Sequence, residues 1–278
     1  SPNPSRSSFT FRFGLRERGR VRAQVFDATG RAVSTVIDRS LEPGLATADE
    51  SADELSRQAT DPTASLMSFG LIGGYTGDYY GNTPGDEYRT EIKFQPVIPF
   101  RAFGTSNILR MSLPYQVSGR GENGLNAVTV FDLVVINESW GRWGIGPVMS
   151  FATDDNAPDD FVFGPAAGGV WQYSKTLNLG LFNQNLFGGD TSLSQLQPII
   201  AYQLGDGWSL SAGDLQIVYD WKDSRWLSVP IGVQLGKVTK IAGQAMRFAV
   251  NPQYNLIHDD GVEEWKVLFT FTLLVPSK

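Results

Sequence analysis

The stretch Met246–Pro276, MRFAVNPQYNLIHDDGVEEWKVLFTFTLLVP, sorts its residues by parity. Met246, Phe248, Val250, Tyr254 and Leu256 fall on one side of an extended chain, and Arg247, Asn251, Gln253 and Asn255 on the other. Successive side chains of a β-strand point to opposite faces, so this is the pattern of a strand with one apolar and one wet face. After the turn HDDGVE (258–263) the alternation resumes, with Trp265, Val267, Phe269, Phe271, Leu273 and Val275 on the apolar side. Both strands are long, and the question they pose is which medium the apolar side meets.

The same alternation fills residues 65–278, with no convincing helical period. Twelve strands are expected, at about 66–78, 87–99, 106–118, 125–137, 142–153, 161–174, 176–188, 193–205, 207–222, 226–238, 243–257 and 263–276. Soluble strands are typically about 5–6 residues long, whereas a tilted membrane-crossing strand needs about 9–11 residues in hydrocarbon. The second window sets Tyr88, Ile92, Phe94 and Ile98 against Arg89, Glu91, Lys93 and Gln95; the third sets Leu109, Met111, Leu113, Tyr115 and Val117 against Arg110, Ser112 and Gln116.

A soluble sandwich also alternates, with its polar face outside. Two features favour a barrel in a bilayer. The polar faces carry Gly, Ser, Gln and Asn with isolated charges, as a wet lumen does. Tyr79, Trp140, Trp208, Trp221, Trp226 and Trp265 fall near strand ends, where interfacial girdles form. Loop lengths agree: TGDYYGNTPGDE (76–87), SGRGENG (118–124) and ATDDNAPDD (152–160) alternate with YSK (173–175) and GDG (205–207). An even strand count then puts both ends of the domain on the short-turn side. Against this, Pro96, Pro114, Pro147, Pro165, Pro198, Pro230 and Pro252 fall inside the windows. Each removes a ladder donor, so bulges or local exits from the wall are expected there.

Composition narrows the function classes. The chain has no Cys and a single His, His258, which excludes disulfides, thiolate chemistry and multi-histidine metal sites. A net charge of −6 argues against a nucleic-acid partner. No apolar run reaches the length of a transmembrane helix.

Two segments precede the barrel. Residues 46–64 read as a linker or a short helix, with Ser51 as cap, Glu54 as its capping-box partner and Asp61-Pro62 as the stop. Residues 1–45 read as short strands (9–15, 20–27, 32–38), and their opening Pro-Asn-Pro, the VFDATGRAV hairpin and the closing LEPG resemble the first half of a FlgD-like immunoglobulin module. The later strands of such a module do not follow, and a half sandwich buries too little by itself.

A broader resemblance covers residues 52–276. SLMSFGL, IKFQPVIPF, LRMSLPYQV, WGIGPVMSFATD, LQPIIAYQLGDGWSL and FAVNPQYNLIHDDGVEEWKVLFTFTLLVP look like the outer-membrane β-barrel transporters related to the phenol meta-cleavage pathway, also called neuromedin-U-like. That resemblance implies a Gram-negative outer-membrane barrel that passes small, often hydrophobic compounds, with outer-membrane lipid and a small-molecule solute as its partners. It implies no cofactor and no catalytic motif. The FlgD-like head is a departure from the family pattern.

The expected fold is therefore all-β: an up-and-down antiparallel transmembrane barrel of about twelve strands at residues 65–278, behind a short β segment and a helix. Candidate lumen-lining charges are Arg89, Glu91, Lys93, Arg110, Asp132, Asp214, Asp220 and Arg247. They could filter solutes in a narrow pore or form a salt-bridged filling. His258 in IHDDG is expected to be a solvated loop histidine; as a catalytic base it lacks a nearby Ser in sequence. Asp154-Asp155, Asp159-Asp160 and Asp259-Asp260 could bind a hard cation but match no loop motif. The function expected is passage or binding of small, hydrophobic or aromatic molecules. The alternatives are a filled barrel that anchors or binds a partner, an outer-membrane hydrolase and a soluble secreted β-protein.

Overall fold

A computed structural model describes residues 51–81, 88–119, 123–153 and 161–275, and the backbone of 13–15, 19–26, 32–41 and 44–46. The chain divides into two compact units, residues 1–50 and 51–278. In the first, Gly19–Phe26 pairs antiparallel with Ala32–Leu41, and Phe13–Leu15 pairs with Gly44–Ala46. Part of the strand expected at 9–15 lies outside the described residues.

The second unit is a closed antiparallel barrel. Its staves are β1 (Met67–Tyr79), β2 (Arg89–Ala102), β3 (Thr105–Gly119), β4 (Val128–Asn137), β5 (Gly141–Phe151), β6 (Phe161–Gln172), β7 (Leu177–Gly188) and β8 (Thr191–Gly205). The stave β9 is in two pieces, Trp208–Ser211 and Ile217–Asp220, and β10 in three, Arg225–Ser228, Pro230–Gly232 and Gln234–Ile241. The last two are β11 (Gln244–Asn255) and β12 (Glu263–Val275). Neighbours in sequence are neighbours in the wall, and β12 closes on β1 with Val275 opposite Met67 and Phe269 opposite Gly73. Closure leaves no sheet edge, which is what lets strands sit in hydrocarbon.

One end of the barrel is built from tight connections. Phe103-Gly104, Asp206-Gly207 and Ala242-Gly243 each place both central residues at positive φ, the requirement of type I′ hairpin turns. Both ends of the ring, Met67 and Val275, lie at this end. The opposite end carries the longer connections 80–88, 120–127, 152–160 and 256–262, with the two-residue turn at Gly189-Asp190 as the departure from the expected alternation.

The outer surface is apolar. Leu71, Ile92, Phe94, Ile145, Leu181, Ile200, Ile231, Phe248 and Phe269 are all exposed, several about half so. Exposed contiguous apolar surface on this scale suits lipid hydrocarbon and not water. All seven Trp are outside and exposed. Trp140, Trp143, Trp171 and Trp208 sit at the short-turn end, and Trp221, Trp226 and Trp265 at the long-loop end.

The interior departs from the expected wet lumen over half its circumference. Ile108, Phe131, Leu133, Val135, Val148, Val162, Ala166, Val170, Phe182, Leu186 and Ile199 form one buried apolar cluster inside β3 to β8. The inner face of these staves mixes apolar with polar residues, and in β4, VTVFDLVVIN, both faces are apolar, so there alternation of hydropathy does not tell inside from outside.

The prolines also behave differently from expectation. Pro147 lies opposite Pro165, Pro198 opposite Leu181 and Pro252 opposite Val267, all in continuous register. Only Pro230 stands at an interruption of its stave. A proline deletes one donor, and ladder bonds on either side hold the register.

Candidate functional site

A short helix, α1 (Ala52–Ala59), stops the short-turn end of the barrel. Its N-cap is Ser51, whose Oγ accepts from the Glu54 amide at 3.1 Å. Leu55 is fully buried against Leu66, Val238, Ala245 and Leu274, so the helix is fixed by apolar packing on β10, β11 and β12. The Gly207 amide, in the turn after β8, donates to the Asp53 carboxylate. Across the lumen Arg142 of β5 donates to Asp61 Oδ2 at 2.7 Å, and the Asp61 side chain is fully buried. Asp61 Oδ1 also accepts from the Thr63 amide and hydroxyl. Within the helix Arg57 holds Glu54 at 2.6 Å. Burial raises the Glu54 carboxyl, but hydrogen bonds from Arg57 and Gln58 and the charges of Arg57 and Arg142 outweigh it and hold it below the usual carboxylate range.

Two cavities are stacked above this stopper. The lower, about 160 Å³, lies on Gln58 to Ala64 and is walled by Leu66, Ile72, Val97, Ile199, Gln234 and Arg247 among others. The upper, about 550 Å³, lies towards the long loops; Arg89, Glu91 and Lys93 form one wall and Phe131, Val162 and Leu186 the other. Gln95, Arg110 and Gln197 line both, so they form the neck between them.

The neck is crossed by a charge pair. Lys93 Nζ on β2 donates to Asp214 Oδ2 at 2.6 Å, and Arg110 Nη2 lies 3.9 Å from Asp214 Oδ1. Asp214 belongs to the interruption of β9. Ser211 pairs with Gln234 and Val218 with Ser228, whereas residues 212–217 and 229–233 do not pair with each other. The freed segment is tied to β11: the Asp214 amide donates to Asn251 Oδ1 at 3.3 Å, and Gln253 Nε2 donates to the Asp214 carbonyl at 3.4 Å. Gly213 makes the approach possible. Its φ is +72°, and a Cβ there would stand 2.6 Å from Asn251 Oδ1.

The eight candidate residues thus have different fates. Lys93, Arg110 and Asp214 come together at the neck. Arg89 and Glu91 pair with each other at 3.0 Å in the upper cavity. Arg247 is buried in the lower cavity, where Nη2 donates to Gln234 Oε1 at 2.5 Å. Asp220 lies at the long-loop rim, where Oδ1 caps the turn by accepting from the Lys222 and Asp223 amides. Asp132 is a correction. It shares its face with Leu109, while Phe131 and Leu133 on either side are buried in the interior cluster, so Asp132 points outward. The sequence does not fix the parity of β4, because the strand is apolar on both faces.

The sequence does not reveal Asp61 and Arg142 as the lock of the stopper, nor that the wet-face amides Gln95 and Gln197 meet at the neck. Arg142 shares parity with Gly144 and Gly146 in β5, a small-residue inner face that could have revealed it. His258 packs on the Tyr80 ring with centroids 4.4 Å apart. Asp259 lies 3.8 Å from Arg225, and Asp154, Asp155, Asp159 and Asp160 fall outside the described residues. Among the described residues no three His, Asp or Glu side chains gather as a metal site.

No family model matches the sequence, and no match was found among curated proteins. Solved structures do resemble the fold. A COG4313 outer membrane channel from Pseudomonas putida F1 aligns over 76% of this chain and 96% of its own with a TM-score of 0.56 at 11% identity. The KdgM porin in complex with disordered oligogalacturonate aligns over 76% and 99% with a TM-score of 0.46 at 11% identity. Outer membrane phospholipase A from Escherichia coli aligns over 76% and 97% with a TM-score of 0.43 at 10% identity. At these identities the likeness concerns the fold: residues 51–278 have the architecture of an outer-membrane β-barrel.

Proposed function

We propose that this chain is a channel of the bacterial outer membrane for small molecules, including hydrophobic or aromatic ones, and belongs with the phenol meta-cleavage type of barrel transporter. The observation that carries the reading is the pair of cavities meeting at Gln95, Arg110 and Gln197. A barrel that served only as an anchor would gain from a filled interior, yet here the lumen keeps about 550 Å³ open beside the long loops. The likeness to a channel barrel supports the same reading. The apolar half of the lumen suits the apolar part of a solute. In this reading the protein acts by passage and not by catalysis, and residues 1–45 are the start of a FlgD-like module.

The test is conductance of the purified full chain in planar bilayers. Discrete current steps, enlarged by deleting residues 51–64, are the expected result. Silence in both forms would favour the second reading, a stoppered barrel that anchors or binds a partner, for which the locked helix and the Lys93–Asp214 bar are the specific observations. Lipid hydrolysis abolished by His258→Ala would overturn both.

A further inference from the structure

Acidic and basic groups do not balance along the lumen. Of the cations inside the barrel, Arg142 is held by Asp61 and Lys266 by Glu263, and four others mark a path from the mouth to the stopper. Arg89 opens β2 at the long-loop end, Lys93 follows on the same face, Arg110 stands at the neck, and Arg247 lies near the short-turn start of β11. The upper two are answered: Arg89 by Glu91 at 3.0 Å, Lys93 by Asp214 at 2.6 Å. The lower cavity holds two carboxylates, Asp61 and Asp214, and both are engaged elsewhere, Asp61 with Arg142 and Asp214 with Lys93. Arg110 shares Asp214 with Lys93, at the longer distance of 3.9 Å. Arg247 is 6% exposed, and among the described residues no carboxylate lies within ion-pair distance of it. One guanidinium nitrogen donates to Gln234, and its Nε is sealed from solvent without an acceptor.

A buried guanidinium without a counter-charge is unfavourable, and the group best suited to relieve it is a carboxylate, which matches the planar fork of Arg. The walls add the second half of the ligand. Leu66, Ile72, Val97 and Ile199 face the lower cavity, and the Arg110 guanidinium lies 5.8 Å from the Phe131 ring centre in the upper one. Each station therefore offers a cation beside apolar surface. Size fits as well: an apolar cavity of about 150 Å³ admits benzene, and the lower cavity is about 160 Å³.

We propose that the lumen selects small amphipathic carboxylates, binding the anionic head at Arg110 and then at Arg247 while the apolar body lies against the inner hydrophobic wall. This deepens the channel reading and rests on it for passage, though not for binding.

The probe is benzoate, with benzyl alcohol as its neutral counterpart. Binding to the full chain in detergent is measured by calorimetry, and the fold of each variant is checked by heat-modifiable migration on a gel. Benzoate is expected to bind at least tenfold more tightly than benzyl alcohol. Arg247→Gln and Arg110→Gln should each weaken benzoate about tenfold and leave benzyl alcohol unchanged, while Arg247→Lys, which keeps the charge and loses the planar fork, weakens benzoate by less than Arg247→Gln does. Should Arg247→Gln fail to fold, Arg110→Gln and Arg247→Lys decide. Equal binding of the two probes, or benzoate affinity indifferent to both arginines, overturns the proposal. Benzoate binding in detergent without current in bilayers keeps the site and removes passage. Current with no preference for benzoate removes the site and keeps the channel.

Discussion

The residue that best separates the two faces of the wall is Asp132. It sits near the middle of β4 on the outward face, and its Oδ1 is sealed without a hydrogen-bond partner. An acidic side chain on a lipid-facing wall is unfavourable, though less so than Lys or Arg at the same depth. Asp132→Leu is therefore expected to stabilise the barrel by about 1–2 kcal/mol in urea unfolding from lipid vesicles. A loss of stability would place Asp132 inside after all. The opposite case is Asp61. Removing one member of a buried ion pair typically costs about 3–5 kcal/mol, and here the cost falls on the stopper. Asp61→Asn should leave the barrel folded but expose residues 52–64 to protease and raise the open-state current. Candidate-site residues were legible where a charged side chain held the polar phase of a clear alternation, as Lys93, Arg110 and Arg247 do. Asp132 misled because Val130, Phe131, Leu133 and Val134 around it are all apolar, and Asp61 stayed hidden because its partner Arg142 is 81 positions away.

Among the elements, the helix α1 is the most sensitive to conditions. Leu55 anchors it by packing, while Glu54 ties its first turn to Arg57 and Gln58. The Glu54 pKa is lowered in the folded chain, because the pairing with Arg57 and Gln58 outweighs the opposing effect of burial. A carboxylate with a depressed folded pKa stabilises above its unfolded value, and that contribution is lost as pH falls through the folded one. The stopper should therefore loosen in acid, below the unfolded pKa of about 4.3, read as faster proteolysis of residues 52–64. Glu54→Gln should flatten this dependence, and an unchanged acid response in that variant would assign it to another group. The elements show unevenly in the sequence. The long staves β1, β2, β11 and β12 were visible because one face is apolar and the other largely polar. The breaks in β9 and β10 were not, since the segment 212–216 leaves the wall through Gly213 and long-range bonds to Asn251 and Gln253, and local pattern carries no trace of either.

At the scale of the whole molecule, the exposed apolar residues and the Trp distribution make one argument about solvent. A twelve-residue stave such as β6 or β7, at about 3.3 Å per residue and tilted about 40°, rises about 30 Å. That height equals the hydrocarbon thickness of a bilayer, about 30 Å. The indoles mark its two boundaries, four near the tight turns and three near the long loops. Between them the large exposed side chains are chiefly Leu, Ile, Val and Phe. Indole prefers the headgroup level, where its ring is in apolar surroundings and its N–H stays hydrogen-bonded. In vesicles of lipids brominated at defined depths, bromines near the headgroups should quench the intrinsic fluorescence several-fold more strongly than bromines near the chain ends. Stronger quenching from the chain ends would put the indoles at mid-depth and disconnect them from the interfaces. No quenching at any depth would mean that the apolar surface does not meet lipid, and the lumen would then have no membrane to cross.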